Sequence, residues 1–445
     1  MTDTFVQLEG IKVFALELLK IWVLPIIKAW WWVLLPFLLI KPAIFFWLWW
    51  RQEKAWKERK WVLLEIKLPR ETLKPIKAME EVFGTFYMVA TDNEPGNFRE
   101  KWIEGCTTFF PSLSLEIVSL GGQIHFYIRT ETAYRDWIES AIYSQYPEVE
   151  ITEAEDYTQL VPQDIPNSKW NLEGKDFVLK KKNCYPIKTY EQFETGTEAK
   201  EEKRVDPMAR LLEGLSVLKE GEQVWIQILL NDPKANKPGY DWTKEGEAVR
   251  DKLVKRPGEP PPPKPMIQEA IEVILKGVPE KEERKEDKKE AVPPEMRLTP
   301  GEREVVKEIE KKISKVGFGA TIRVVYLGRR DVFFKPHIAL PISFVVAFNT
   351  SHLNRFGSFP ATDTKVKSVF FWLDKRRAFL KKRKMFRNYV MRLTPLFPFR
   401  GGTSVLNAEE LASLFHFPGR TSAPAPFAPR IEVKGGEAPP GLPVE

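Results

Sequence analysis

Between Ile11 and Trp50 the chain is apolar almost throughout, which points to lipid contact rather than to an ordinary soluble start. Its interruptions are Glu17, Lys20, Lys28 and Lys41, with prolines at 25, 36 and 42. As a helix, residues 29–50 would run about 33 Å, close to a hydrocarbon core of ~30 Å. Trp30, Trp31 and Trp32 stand at one end and Trp47, Trp49 and Trp50 at the other, where indoles settle at the two water–lipid boundaries. The stretch therefore predicts a transmembrane anchor with these six tryptophans as boundary residues. A secretory signal peptide fits badly, because the region is too long, is broken by lysines and has no small-residue cleavage site. A bent or re-entrant hairpin hinged at Pro36 or Pro42 stays open, since Lys41 would lie near the bilayer centre of a straight span.

Next comes RQEKAWKERK at 51–60, where Arg51, Lys54, Lys57, Arg59 and Lys60 outnumber Glu53 and Glu58. The positive-inside bias then puts residues 51–445 on the cytoplasmic side of the inner membrane. A formal charge of +7 with clustered basic residues fits anionic headgroups as well as nucleic acid, and charge alone does not separate them. Cys106 and Cys184 lie far apart and outside any CxxC spacing, so both are expected as buried, reduced thiols.

Beyond the anchor the periodicities predict an α+β body. WVLLEIKL at 61–68 reads as a strand, and Ile76, Met79, Val82, Phe83 and Phe86 recur at helical spacing. Leu113, Leu115 and Ile117 alternate, Gly121-Gly122 turns the chain, and Ile124, Phe126 and Ile128 alternate again, which specifies a hairpin. A helix through Tyr134, Trp137, Ile138, Ala141 and Ile142 and a strand at 148–152 complete β-α-β-β-α-β, the split βαβ of ferredoxin-like domains. A second copy is expected from a strand at 176–189. It continues through a helix at Met208, Leu211, Leu212, Leu215 and Leu218 and a strand at Val224, Ile226, Ile228 and Leu230. Past an interruption it resumes with a helix at Val305, Ile309, Ile313 and Val316 and a strand at Ile322, Val324 and Tyr326. The interruption holds PGEPPPPKP at 257–265 and eleven consecutive charged residues at 280–290, the composition of a solvated linker. The expected organisation is an anchor with its basic flank at 1–60, one ferredoxin-like domain at 61–160, a discontinuous second at 161–231 and 296–417, an insertion at 232–295, and a Pro/Gly/Ala-rich tail at 418–445.

Catalytic signatures are missing from the sequence. There is no GxxxxGK[ST] loop to cradle a triphosphate, and His125, His337, His352 and His416 fall in different elements without HExxH or zinc-deaminase spacing, so no metal or other cofactor is expected. The sharpest polar feature is KRRAFLKKRKMFRNYVMR at 375–392, where nine of eighteen residues are Lys or Arg and Phe379, Phe386 and Tyr389 are interleaved. Lys375, Arg376, Arg377, Lys381, Lys382, Arg383, Lys384 and Arg387 are the candidate contacts to phosphate, on nucleic acid or on lipid. A solvated helix face is the alternative.

Several segments resemble the membrane-anchored region that precedes the motor of conjugative, type IV secretion DNA-transfer ATPases of the coupling-protein kind. They are WVLLEIKLPRE at 61–71 with KAMEEVF at 77–83, GFGATIRVVYLG at 317–328, LNAEELASLFHFPG at 406–419, and EAPPGLPVE at 437–445. In fused relatives a P-loop motor would follow roughly where this chain stops, so the resemblance implies a non-enzymatic anchor-and-scaffold half. It implies a separate P-loop ATPase and DNA as partners; the apolar N-terminal segment adds the lipid bilayer, and further copies of the chain are also expected. A membrane-bound module for nucleic acid or lipid, unrelated to secretion, is the other expectation.

Overall fold

The computed structural model describes residues 24–69, 74–92, 95–107, 110–194, 206–235, 239–254, 298–366, 371–418 and 430–431, with the backbone alone at 24–34, 194, 371 and 430–431. They belong to two compact units, Met1–Arg59 with Glu94–Thr107, and Lys60–Asn93 with Thr108–Glu445.

In the first unit, helix α1 (Leu24–Glu58) runs through Pro36 and Pro42 without reversing, so neither proline hinges a hairpin. Its last two turns carry the ion pairs Lys57–Glu53 (2.7 Å) and Lys54–Glu58 (3.7 Å), which tie up part of the basic cluster. A single π turn, Glu100–Glu104, closes on α1: Trp47 Nε1 donates to the Trp102 carbonyl at 3.1 Å. The turn ends at Gly105 (φ 79°), where a Cβ would sit 2.6 Å from the Arg51 carbonyl oxygen, so any other residue would push the turn off the helix. The expected transmembrane anchor is overturned here. Among the described residues no helix is long and apolar enough to cross a membrane. Lys41 interrupts the exposed apolar surface of α1, and the charged residues Arg51, Glu53 and Lys54 follow it on the same helix.

The second unit is built on one large sheet. In chain order it contains β1 (Trp61–Pro69), α2 (Lys77–Thr91), β2 (Leu113–Leu120), β3 (Gln123–Glu131), α3 (Arg135–Gln145) and β4 (Glu150–Glu153). Then follow β5 (Trp170–Leu179), α4 (Tyr190–Glu194), α5 (Pro207–Ser216), β6 (Glu222–Asn231), α6 (Trp242–Val254), α7 (Pro300–Ile313) and β7 (Gly317–Arg329). The last elements are α8 (Ala339–Ala347), β8 (Phe356–Ser358), α9 (Asp374–Val390), β9 (Ser404–Asn407), α10 (Ala408–Leu414) and the two-residue β10 (Arg430–Ile431). The expected strand at 176–189 starts earlier and ends at Leu179, where the lysine run 180–182 begins. Residues 255–297, most of the expected insertion, and the tail beyond Pro418 apart from β10 lie outside the described residues.

The strands lie in the order β10-β1-β3-β2-β6-β7-β5-β8, with β4 also on β1 and β9 on β7; every pairing but β1 with β10 is antiparallel. This corrects the expectation of two separate ferredoxin-like domains. β2 and β6, which would each be an exposed edge in separate domains, pair from Leu113↔Leu230 to Leu120↔Gln223. Joining them satisfies both rows of backbone N–H and C=O groups and leaves one sheet. One apolar core then runs across the join, from Val62 through Ile117 and Ile226 to Phe417, under α2, α3, α5, α8 and α10. Helix α2 shows why: Met79, Val82, Phe83, Phe86 and Val89 follow one helical stripe and are all buried. A second core, on the opposite face, holds Leu63, Val118, Trp225, Val325 and Leu327 beneath the 157–165 segment and α9.

Candidate functional site

The exposed side of α1 is apolar. Phe37, Leu38, Leu39 and Ile40 are consecutive and all exposed, Phe37 and Leu38 at 73% and 75%. At ~100° per residue these four point in directions covering most of the helix circumference. Phe45, Phe46, Trp47 and Trp50 extend the surface, with Phe98 and Ile103 of the neighbouring turn. Of the six expected boundary tryptophans, Trp47 and Trp50 are half exposed with rings 5.5 Å apart, and Trp49 is partly buried. The side chains of Trp30, Trp31 and Trp32 lie outside the described residues.

Helix α9 carries the basic segment, and the fold sorts its eight candidate cations into two sets. Met385, Phe386, Asn388 and Tyr389 bury the inner side of its C-terminal turns. Lys382 reaches Glu173 Oε1 (3.0 Å) and Asn171 Oδ1 (3.1 Å), while Lys381 donates to the carbonyls of Pro360 (2.9 Å) and Asp363 (3.2 Å). Arg377 is half-buried and engaged. Lys375, Arg376, Arg383, Lys384 and Arg387 are exposed and make no hydrogen bond or ion pair with any described residue. Partial burial, then the neighbouring charge of Arg387, lower the pKa of the Lys384 ammonium. Phe379 and Leu380 are exposed on the same helix, at 42% and 54%.

Under α9 lies a polar row that sequence reasoning missed. Glu65, Tyr127, Glu116, Gln227, Arg323 and Asp176 are direct cross-strand partners from β1 to β5, so their side chains share one face of six adjacent strands. Arg323 donates to Asp176 Oδ1 (2.7 Å), Gln227 Oε1 (3.1 Å) and the carbonyls of Asn388 and Leu393 (2.9 and 3.0 Å). Glu116, fully buried, accepts from Ser114 (2.6 Å), Tyr157 (2.7 Å), Gln227 (3.0 Å) and both Nε and Nη2 of Arg392 (3.0 and 3.1 Å). Arg392 holds a left-handed backbone (φ 52°) just past α9 and also grips Asp156. Burial pushes the Glu116 carboxyl up, but the Arg392 charge and the hydrogen bonds outweigh it and hold it below the ordinary carboxylate range. Asp156 is held low the same way. The signal was a lone arginine inside the apolar run ATIRVVYL and a lone glutamate inside LSLEIVSL. Such alternation by itself suits a wet face; a second covering layer makes that face dry.

Elsewhere, His125 pairs with Glu65 (2.6 Å), His337 with Glu222 (2.8 Å), and His416 with Asp206 (3.0 Å) and the Ala412 carbonyl (2.9 Å). His352 lines a cavity of about 440 Å³ with Lys181, Tyr185 and the first turn of α7. Among the described residues no group of three or more His, Cys, Asp or Glu is placed to hold a metal ion. Cys184 is buried, but Cys106 is only partly so, against expectation.

A family described as a domain of unknown function (DUF8128) matches residues 57–332. No curated protein matches the chain.

Proposed function

The chain belongs to the DUF8128 family, and from the exposed surface of its α1 we propose a non-catalytic platform that docks on a lipid bilayer through that helix. It works as part of a type IV secretion-like DNA-transfer machine and holds a separate P-loop ATPase at the cytoplasmic face. One observation carries the bilayer reading: four consecutive exposed apolar residues, Phe37 to Ile40, face nearly all directions around α1. A flat protein partner covers one side of a helix, whereas acyl chains cover every side they meet. The ATPase and the machine rest on the segment resemblances. Platform rather than enzyme is favoured because the buried titratable groups of the sheet are spent on one another: Glu116 on Arg392 and Asp176 on Arg323.

Flotation of the full chain with neutral phosphatidylcholine vesicles tests the docking. The wild type should float, and Phe37→Glu with Leu38→Glu should leave it at the bottom of the gradient; a wild type that never floats ends the bilayer reading. Affinity purification of the full chain from its own cell membranes tests the rest, and recovery without any P-loop ATPase would remove the scaffold role.

A further inference from the structure

We infer that the outward face of α9 is a second lipid contact, one that reads anionic phospholipid headgroups and sets which leaflet the protein chooses. The inference rests on the bilayer docking proposed for α1. Three observations on α9 carry it.

Arg376, Leu380, Arg383, Lys384 and Arg387 follow i, i+4, i+7, i+8 and i+11, one face of a helix, with Phe379 at its margin. That face cannot rotate away, because the opposite side is fixed to the sheet through Met385, Phe386 and Tyr389. Secondly, its four cations make no hydrogen bond or ion pair with any described residue, although the inward Lys382 and the arginines at 323 and 392 each contact a carboxylate directly. Four neighbouring cations left to repel one another are the imprint of an anion supplied from outside.

Thirdly, Phe379 and Leu380 stand exposed among those cations, with Trp372 just before the helix. This mixture separates lipid from nucleic acid. A duplex phosphate backbone offers nothing to an aliphatic leucine, and bases that stack on Phe379 would still leave Leu380 wet. A headgroup layer accepts both kinds at once, with the rings and the leucine at the acyl boundary and the guanidinium and ammonium groups among the phosphates.

The test uses the full chain and three vesicle compositions: phosphatidylcholine alone, and the same lipid with about 30% phosphatidylserine or phosphatidylglycerol. The wild type should bind the anionic vesicles at least ~10-fold more tightly than the neutral ones, and raising salt from about 0.05 to 0.5 M should erase the difference. The variant R376Q/R383Q/K384Q/R387Q should lose the preference yet float on neutral vesicles as before. R376K/R383K/R387K should keep the preference, since the headgroup reads charge. A quadruple-Gln variant that still prefers anionic vesicles overturns the inference. So does a wild type with no anionic preference, and if the Gln variant then also loses duplex DNA the face belongs to nucleic acid. Failure of the wild type to float on neutral vesicles condemns α1 docking alone, because the anionic arm still reads α9. Equal response to serine and glycerol headgroups assigns recognition to the shared phosphate and net charge; response to one alone overturns the charge reading.

Discussion

The sheet of the second unit has two faces made by the same strands, and they are buried by opposite means. On one, Leu115, Ile117, Phe126, Ile226 and Ile322 meet the apolar stripes of α2, α3 and α5, and charge enters only at the margins, where Glu222 pairs with His337 and Lys312 with Glu410. On the other, one residue along in each strand, Glu116, Tyr127, Gln227 and Arg323 form a polar row sealed by α9 and Arg392. An apolar face works with any side chain of suitable volume, so it gives cohesion and little direction. A buried row of charges works in one register only, since a slip by one residue in β6 or β7 would strand Arg323 and Glu116 without partners. The polar face thus fixes the alignment at the join between the two halves and the seat of α9, and the apolar face supplies most of the stability.

Breaking the two faces separately should expose that difference, and the polar face should break harder. Arg392→Ala removes the cation from Glu116 and Asp156 at once and leaves a carboxylate dry and unpaired, which costs about 3–5 kcal/mol. Leu115→Ala, in the strand position next to Glu116 but on the apolar face, should cost about 3 kcal/mol as a cavity. Urea midpoints of the two variants at pH 7 measure this. If Arg392→Ala costs under ~1 kcal/mol, the row is not holding a buried charge, and the contrast between the faces fails.

The apolar face was legible in the sequence because period-2 and period-3.6 patterns write it directly. Leu113, Leu115 and Ile117, the Gly121-Gly122 turn (φ 60° and 91°), and Ile124, Phe126 and Ile128 fall where they were expected, as does the α2 stripe. The join was not legible, because β2 and β6 read the same whether each is an edge or a neighbour; nothing in LSLEIVSL says what lies beside it. The polar row was hidden for a related reason: Ser114, Glu116 and Gln227 suit a wet face, and only the 157–165 segment and α9, both remote from those strands in the chain, make it dry. That helix was found in the sequence for its charge, while its anchoring residues Met385, Phe386 and Tyr389 were submerged among lysines and arginines. Two of the segments that carried the resemblance are core: GFGATIRVVYLG is the central β7, and α10 within LNAEELASLFHFPG is buried at every position, while EAPPGLPVE lies outside the described residues. Packing alone would preserve such stretches, so they say more about fold than about a site.

Acid should separate the faces with a smaller effect. Glu116 and Asp156 both titrate below the ordinary carboxylate range in the folded protein, so the unfolded chain binds more protons at low pH. Their contribution is complete above the unfolded values of roughly 4 and is lost as pH falls through the lower folded ones. The wild-type urea midpoint should hold level from about pH 7 to 5 and decline below about 4, and Leu115→Ala should follow a parallel curve. Glu116→Gln should make the acid decline shallower, because one of the two depressed carboxyls is gone. A Glu116→Gln curve as steep as the wild type would place the acid sensitivity elsewhere.

The smallest expected effect tests whether the row acts as a unit or as separate bonds. Ser114 donates one hydrogen bond to Glu116 Oε1, which also accepts from Gln227 and Arg392. Removing it by Ser114→Ala leaves the carboxylate with its cation and two other donors, Tyr157 and Gln227, so the cost should be about 1 kcal/mol, an ordinary single bond. In an Arg392→Ala background the same substitution strikes a carboxylate that has already lost its charge partner. Ser114 is then one of few donors left, and its removal should cost measurably more than in the wild type, by about 0.5 kcal/mol or above. A double-mutant cycle on urea midpoints reads the difference. Additive costs would mean that each bond in the row stands alone, and the register argument would then rest on Arg323 and Asp176 without help from Glu116.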